Sequence, residues 1–139
     1  MKLATPLAEM TEKEWSRSVY ELAEMLGWHR YHTFLPKYSA AGYPDETLVR
    51  ERVVFLELKT EKGKLSPAQR EWLGWLRDTG AEVYVARPRH LDALAIVLSQ
   101  RRKRAGDDWD TDLPGSSSAR GQLLLELDSA IGTRSKEAA

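Results

Sequence analysis

Residues 53–87 contain the pattern that most limits the possible folds of this chain: an apolar strand, a capped helix and a second apolar strand. The run VVFLELKT is followed by the turn EKGK and by the helix start SPAQ, with a Ser cap, Pro at the first helical position and Gln at the third. Gly80 ends that helix, and the strand AEVYVAR follows and stops at Pro88. Such a unit favours a sheet with helices packed on its faces.

Further helix and strand signals flank this unit. Thr11 and Glu14 form the pattern of a capping box, and apolar residues follow at helical spacing until Gly27. The segments WHRYHTF and ETLVR predict strands, the second forming a hairpin with VVFLELKT, and HLDALAIVLSQRRKR predicts an amphipathic helix. The resulting order α-β-β-β-α-β-α predicts an α/β fold with a central mixed sheet flanked by helices.

The composition of the chain changes after Arg104. Residues 1–104 contain 18 Lys and Arg against 14 Asp and Glu, whereas residues 105–139 contain 3 against 7. The segment AGDDWDTDLPGSSSARG is acidic and rich in Gly and Ser, as linkers are, and QLLLELDSAI is compatible with one short helix. We therefore predict one domain over residues 1–104 and an acidic, flexible tail over residues 105–139.

The composition excludes several kinds of site. The 139 residues include no cysteine, which rules out disulfides, thiolate metal sites and a cysteine nucleophile. Three histidines, His29, His32 and His90, are too few and too scattered for a zinc cluster. No apolar run approaches the roughly 18–20 residues that span a membrane. Because the N-terminal residues are charged rather than signal-like, we expect a cytoplasmic protein, or a viral one acting in the host cytoplasm, with no membrane partner.

Three charged residues of the predicted hairpin converge at one end of it. Asp45 and Glu57 lie equally far from the midpoint near Glu51, so antiparallel pairing places them opposite each other, with Cβ atoms roughly 4.5–5.5 Å apart. Two carboxylates at that separation repel unless a cation lies between them. Lys59 emerges on the same face, two residues beyond Glu57. Oxygen ligands of this kind suit a hard divalent ion such as Mg²⁺, and with the lysine they predict phosphodiester hydrolysis.

These residues also resemble a known family. Pro44-Asp45 followed by Glu57-Leu58-Lys59 matches the PD-(D/E)xK nuclease signature. The flanking segments ELAEMLGWHRYHT, AAGYPD and GKLSPAQREWLGWLRDTGAEVYVARP are similar to its VRR-NUC (virus-type replication-repair nuclease) branch, over about residues 11–98. The resemblance implies a PD-(D/E)xK restriction-endonuclease-like core and Mg²⁺- or Mn²⁺-dependent cleavage of DNA. Small stand-alone members are similar to Holliday-junction resolvases, which implies a structure-specific endonuclease.

The resemblance implies a role for each matching residue. Asp45 and Glu57 would be metal ligands, with the main-chain carbonyl of Leu58 as a third, and Lys59 would be the catalytic lysine.

Two further residues are assigned to the site by the same resemblance. Gln69 occupies the position of an active-site Gln on the helix after the lysine strand, but it also completes a Ser-x-x-Gln capping box that needs no chemistry, so both interpretations stay open. The first helix of the family carries a Glu. We prefer Glu12 over Glu14, because Glu12 shares a helix face with Trp15 and Val19.

Four residues are predicted to contact DNA: Lys62 and Lys64 in the loop after the lysine strand, His32 on the first strand, and Arg87. The two lysines also have a plain interpretation as turn solvation, and a lone strand histidine is usually structural. The tryptophans of the second predicted helix, at positions 72 and 75, are interpreted as core residues rather than as platforms for base stacking.

The sequence leaves three functions in competition. The first is a metal-dependent endonuclease acting on branched or duplex DNA, as a homodimer because two strands need two symmetric cuts. The second is a DNA-binding module without catalysis, which the intact Asp45, Glu57 and Lys59 disfavour. The third is a sequence-specific restriction-type endonuclease, for which residues 105–139 are a poor recognition segment because they are acidic and low in aromatic residues.

Overall fold

The computed structural model describes residues 5–33, 40–101 and 116–132. Along this part of the chain lie four α-helices, four strands and two short 3₁₀ helices. They are α1 (Glu12–Met25), β1 (His29–His32), β2 (Glu46–Val49), β3 (Val53–Leu58), α2 (Pro67–Asp78), β4 (Glu82–Ala86), α3 (Leu91–Ser99) and α4 (Ser116–Ile131), with 3₁₀ helices at Leu7–Glu9 and Pro88–His90. None of the helices described is long and apolar enough to cross a membrane.

The four strands form one mixed sheet in the order β1-β2-β3-β4. The pairs β1–β2 and β2–β3 are antiparallel, whereas β4 runs parallel to β3. In the hairpin, Glu46 lies opposite Leu56 and Val49 opposite Val53, which is the register expected from the sequence. The prediction of an α/β fold with a mixed sheet flanked by helices is confirmed.

The local signals that predict helix ends correspond to contacts in the structure. The Thr11 hydroxyl accepts a hydrogen bond from the Glu14 N–H at 3.1 Å, and the Glu14 carboxylate accepts one from the Thr11 N–H at 3.2 Å. Gly27 and Gly80 follow α1 and α2 with φ of +84° and +82°. Because glycine reaches this left-handed region without steric cost, both helices end where the sequence predicts.

Apolar side chains pack on both faces of the sheet. On one face, α1 and α3 cover the strands, with Trp15 and Leu94 in the same cluster as Leu56. On the other face, Leu73 of α2 packs with Val83 of β4. Alternate strand residues therefore serve two helical layers, as the period of two along a strand requires.

Helix α3 ends at Ser99, whereas the sequence predicted that it continues through Gln100 into the basic residues that follow. That prediction is wrong for Gln100, whose backbone is extended (φ −70°, ψ 139°). Two arginines of the β2–β3 turn satisfy the carbonyls at this end. Arg52 donates to the carbonyls of Val97 at 2.9 Å and Gln100 at 2.6 Å, and Arg50 donates to that of Gln100 at 2.8 Å. Residues 102–104 lie outside the described part of the chain.

The segment from Ser116 onward is a helix of the fold, whereas the sequence predicted linker up to Gly121 and a short helix after it. Ala119 and Leu123 are buried in the cluster of α1 and α3, and Leu127 is buried against α2. These three residues are four positions apart and form one buried stripe along the helix. Ala119 belongs to this stripe only because the helix begins at Ser116 rather than after Gly121. The predicted domain boundary after residue 104, and the acidic residues around position 109, lie outside the described residues.

We expect Leu127→Ala to lower the free energy of unfolding by about 2–5 kcal/mol, because it leaves a cavity in a packed core. Leu127 is fully buried, whereas Leu125 on the same helix is 68% exposed. Leu125→Ala is therefore the matched control, with an expected change below about 0.5 kcal/mol. Denaturant unfolding of both variants makes the comparison, and equal stabilities would mean that α4 does not pack on the sheet in solution.

Candidate active site

A cleft of about 800 Å³ lies between α1 and the end of β3. Six residues that the sequence analysis assigned to the site line it, from α1, β1, the hairpin and α2: Glu12, His32, Asp45, Leu58, Lys59 and Gln69. Glu57 is fully buried next to them. The structure therefore brings the predicted metal ligands and the predicted catalytic lysine to one place.

Asp45 faces Glu57 when the register of the hairpin is continued by one residue. The Leu58 N–H donates a hydrogen bond to Asp45 Oδ2 at 2.9 Å, and the Thr33 N–H donates to the Asp45 carbonyl at 2.9 Å. These two contacts fix both the backbone and the carboxylate of Asp45. Among the described residues no N–H group donates to Oδ1 of Asp45, which leaves this oxygen for a cation or for the proton of the Glu57 carboxyl group.

The carboxyl group of Glu57 lies in an environment that disfavours its charge. Burial, reinforced by the negative charge of Asp45, raises the pKa of Glu57 to about 9, and the positive charge of Lys59 acts in the opposite direction. Oε1 accepts a hydrogen bond from the Gln69 amide at 3.0 Å. Oε2 is buried and has no hydrogen-bond partner within the described ranges. A cation at this position would offset both the desolvation of Glu57 and its repulsion from Asp45.

The side-chain amide of Gln69 makes two contacts at once. Its Oε1 accepts a hydrogen bond from the Ser66 N–H at 2.8 Å, which completes the capping box of α2, while its Nε2 donates to Glu57. The two interpretations of Gln69 left open by the sequence therefore do not exclude each other. The cap fixes the orientation of the amide, and the amide holds one oxygen of Glu57.

Gly42 allows the start of α2 to lie against the loop that carries Asp45. A Cβ atom at this position would be 2.3 Å from the carbonyl carbon of Ala68, and φ is +88°. Because both the space and the backbone angle exclude a side chain, glycine is required for this close approach.

Lys59 and Glu12 lie on different sides of the cleft. Lys59 follows β3 directly, and its main-chain N–H donates to the Ala86 carbonyl at 3.1 Å, which anchors its backbone on β4. Glu12 lines the cleft, whereas the Glu14 carboxylate accepts hydrogen bonds from Thr5 and Thr11. Glu12, and not Glu14, thus lines the cleft that contains the predicted metal ligand Asp45.

The residues predicted to contact DNA fall into three situations. Lys62 and Lys64 are exposed in the loop after β3, and His32 lines the cleft. Arg87 does neither: its guanidinium donates to the carbonyls of Thr60 and Gly63, the latter at 2.7 Å, and pairs with Glu126 of α4. We therefore correct the prediction for Arg87 and assign it to holding the loop after Lys59 against α4.

The aromatic residues of α2 differ from the expectation of a core role. Trp72 is half-buried and packs edge-on against Tyr43 and Trp75, with ring centroids 5.2 and 5.3 Å apart. Trp75 is 55% exposed, so the prediction that it belongs to the core is wrong. The core stripe of α2 passes through Leu73 instead.

Sequence reasoning missed a buried ion pair beside the cleft. Glu46 is fully buried, and its carboxylate accepts hydrogen bonds from Arg30 Nε at 2.8 Å and Arg30 Nη2 at 2.6 Å. Nδ1 of His32 lies 2.8 Å from Glu46 Oε1. The signal was present in the sequence, since Glu46 shares the buried face of β2 with Leu48, where an unpaired carboxylate is not tolerated.

The donor atoms at Asp45 and Glu57 fit a hard divalent cation. Over residues 5–33, 40–101 and 116–132 there is no group of three or more His, Cys, Asp or Glu side chains suited to a metal. A cation here would therefore rely on two carboxylates, the Leu58 carbonyl and water. This set suits Mg²⁺, which usually takes one or two carboxylates and keeps several waters.

The family model for the VRR-NUC domain matches residues 14–90. No curated protein and no solved structure matches the chain. The matched segment is more than half of the 139 residues and contains Asp45, Glu57, Lys59 and Gln69. The resemblance seen in the sequence is confirmed, and the chain carries a nuclease-type domain: it belongs to the VRR-NUC domain family.

Proposed function

We propose that this chain hydrolyses phosphodiester bonds of DNA with Mg²⁺ or Mn²⁺ bound by Asp45, Glu57 and the carbonyl of Leu58. A nuclease-type domain implies DNA as the substrate. The observation that carries the metal assignment is the burial of Glu57 against Asp45, which raises the pKa of Glu57 and leaves its Oε2 without a donor from another residue among those described. Two carboxyl groups in this position need a shared proton or a cation between them.

The residues around the proposed metal ligands have separable tasks. When bound, a divalent cation supplies Lewis-acid chemistry, by polarising a phosphate oxygen and lowering the pKa of a water. Lys59 brings a positive charge to the cleft, which stabilises the negative charge that develops on the phosphate and orients the attacking water. Gln69 holds Oε1 of Glu57, and the Leu58 N–H holds Oδ2 of Asp45, which leaves Oε2 of Glu57 and Oδ1 of Asp45 as the oxygens that would bind the cation.

We further propose that the chain is an endonuclease that prefers branched DNA and acts as a homodimer. The resemblance to resolvase-like members supports the substrate, and the need for one active site per strand supports the dimer. Sedimentation with and without DNA tests the dimer, and only monomer in both conditions would contradict it. Action in the cytoplasm stays a prediction.

Cleavage of a panel of labelled substrates tests the function. The panel contains a linear duplex, a flap, a fork and a four-way junction of the same sequence, each incubated with Mg²⁺ or with EDTA. We expect cleavage with Mg²⁺ alone, fastest on the branched substrates, and none by Asp45→Asn. Tight binding without cleavage would favour the non-catalytic module, and cleavage at one sequence on every substrate would favour a restriction-type enzyme.

A further inference from the structure

We propose that Arg30, held in place by the buried carboxylate of Glu46, binds one phosphate of a DNA strand lying in the cleft, next to the phosphate that is cut. This inference rests on the proposed function, because it assumes that the cleft takes DNA. It adds a substrate-binding residue, Arg30, and a positioning residue, Glu46, to the site.

The orientation of Arg30 is fixed by its partner. Glu46 is fully buried, and a buried carboxylate is costly unless it is paired and hydrogen-bonded. Arg30 meets this need with two parallel N–H···O bonds, from Nε to Oε2 and from Nη2 to Oε1. Paired bonds of this kind fix the plane of the guanidinium as well as its distance.

A second contact leaves one edge of Arg30 available. Its guanidinium carbon lies 4.7 Å from the centroid of the Tyr20 ring, so one face of the group is covered. Its side chain lines the cleft and is 22% exposed. A guanidinium carries five N–H donors, and Nη1 makes no hydrogen bond to any residue in the described ranges. This nitrogen is suited to donate to a phosphate oxygen.

The position of the pair selects which phosphate is bound. Glu46 follows Asp45 directly in the sequence, and although neighbouring strand residues point to opposite faces of the sheet, Arg30 and Asp45 both line the cleft. With the scissile phosphate at the proposed metal ligands, we expect Arg30 to contact a neighbouring phosphate of the same strand. His32, two residues along β1, contacts the same oxygen of Glu46 and adds a second nitrogen-bearing group on this side of the cleft.

A structural role alone does not account for this arrangement. Replacing a buried ion pair by apolar residues of similar size is often neutral or stabilising, so the fold does not need charge at this point. Here Arg30 reaches the cleft while its partner Glu46 is fully buried. This arrangement is expected when the guanidinium binds an anionic ligand in the cleft.

Binding to DNA in EDTA tests the inference without relying on cleavage. Fluorescence anisotropy is measured with a set of four-way junctions, each carrying one neutral methylphosphonate at a different distance from the branch point, which fixes the register of binding. For the wild type, we expect one position to weaken binding by about tenfold, the size of a lost hydrogen bond to a charged group. Arg30→Gln should weaken binding of the unmodified junction by a similar factor and abolish the effect at that position.

Arg17→Gln is the matched control. Arg17 has the same charge and lines the same cleft, but its side chain is 78% exposed, and among the described residues it pairs only with Glu21 on the surface of α1. We expect it to weaken binding by less than about threefold and to leave the positional effect intact. Glu46→Gln keeps the shape of the carboxylate and should reproduce the loss of the positional effect seen in Arg30→Gln.

An unchanged positional effect in Arg30→Gln would overturn the inference and leave the ion pair a structural one. If Arg30→Gln does not fold, the double variant Arg30→Gln with Glu46→Gln takes its place, because it leaves no unpaired buried charge, and full retention of the positional effect by this variant would be equally contradictory. A protein that shows the positional effect but never cuts DNA would refute the proposed function and keep this inference. A protein that cuts DNA but shows no positional effect would support the proposed function and refute this inference.

Discussion

Lys59→Ala is expected to slow DNA cleavage by about 100- to 1,000-fold, the typical loss when a group that stabilises transition-state charge is removed. Lys59 lines the cleft directly after β3, and its charge acts on Glu57 beside it. Because Lys59 is half-buried and belongs to neither apolar cluster of the described residues, unfolding curves and DNA affinity should change little. The loss should therefore appear in kcat, measured by single-turnover cleavage of a labelled four-way junction.

The neighbouring Lys62→Ala gives the contrast. Lys62 is exposed in the same loop and does not line the cleft. If it only contacts the DNA backbone, its removal should raise KM by a few-fold and leave kcat unchanged. A Lys59→Ala variant with near wild-type kcat would remove Lys59 from the mechanism.

Glu57→Gln is expected to make the protein more stable near neutral pH while abolishing activity. The pKa of Glu57 is raised from an ordinary 4.5 to about 9, so between these values the folded protein holds a proton that the unfolded chain has released. The stability of the wild type therefore falls as pH rises through this interval. Gln carries no charge at any pH, and its expected advantage near pH 7 is on the order of 3 kcal/mol.

Denaturant unfolding at a series of pH values tests this expectation. The difference between Glu57→Gln and wild type should be near zero below the ordinary glutamate pKa of 4.5 and should grow until about pH 9. If the free energies of unfolding of the two proteins differ by the same amount at every pH, Glu57 is not protonated in the folded state. The site therefore lowers the stability of the fold, because the buried carboxyl group of Glu57 destabilises the protein when no cation is bound.

The parts of the fold that the sequence predicts are those with local signals. Thr11 with Glu14, and Ser66 with Gln69, are three residues apart, and each pair forms the capping box that its spacing indicates. The opposition of Asp45 and Glu57 also follows locally, because a tight hairpin leaves only one register that buries the apolar face.

The parts that the sequence does not predict depend on contacts between distant segments. Glu46 pairs with Arg30, sixteen residues away, and Arg87 pairs with Glu126, thirty-nine residues away. No local pattern marks such partners, so Arg87 was predicted to contact DNA and Glu46 was given no role. Helix α4 was predicted only over its second part, and its packing was missed for the same reason, since its buried stripe becomes recognisable only beside the sheet that it covers.

Calorimetric titration with Mg²⁺ and Mn²⁺ shows whether Asp45 and Glu57 together bind a divalent cation, as we propose. The titration is done near pH 7.5 in two buffers of different ionisation enthalpy, with wild type, Asp45→Asn and Glu57→Gln. Because the pKa of Glu57 is raised to about 9, binding to the wild type should release a proton, and its heat should differ between the buffers. We predict saturable binding with proton release for the wild type and none for either variant. Equal binding by all three proteins, or binding to the wild type without proton release, would contradict the account.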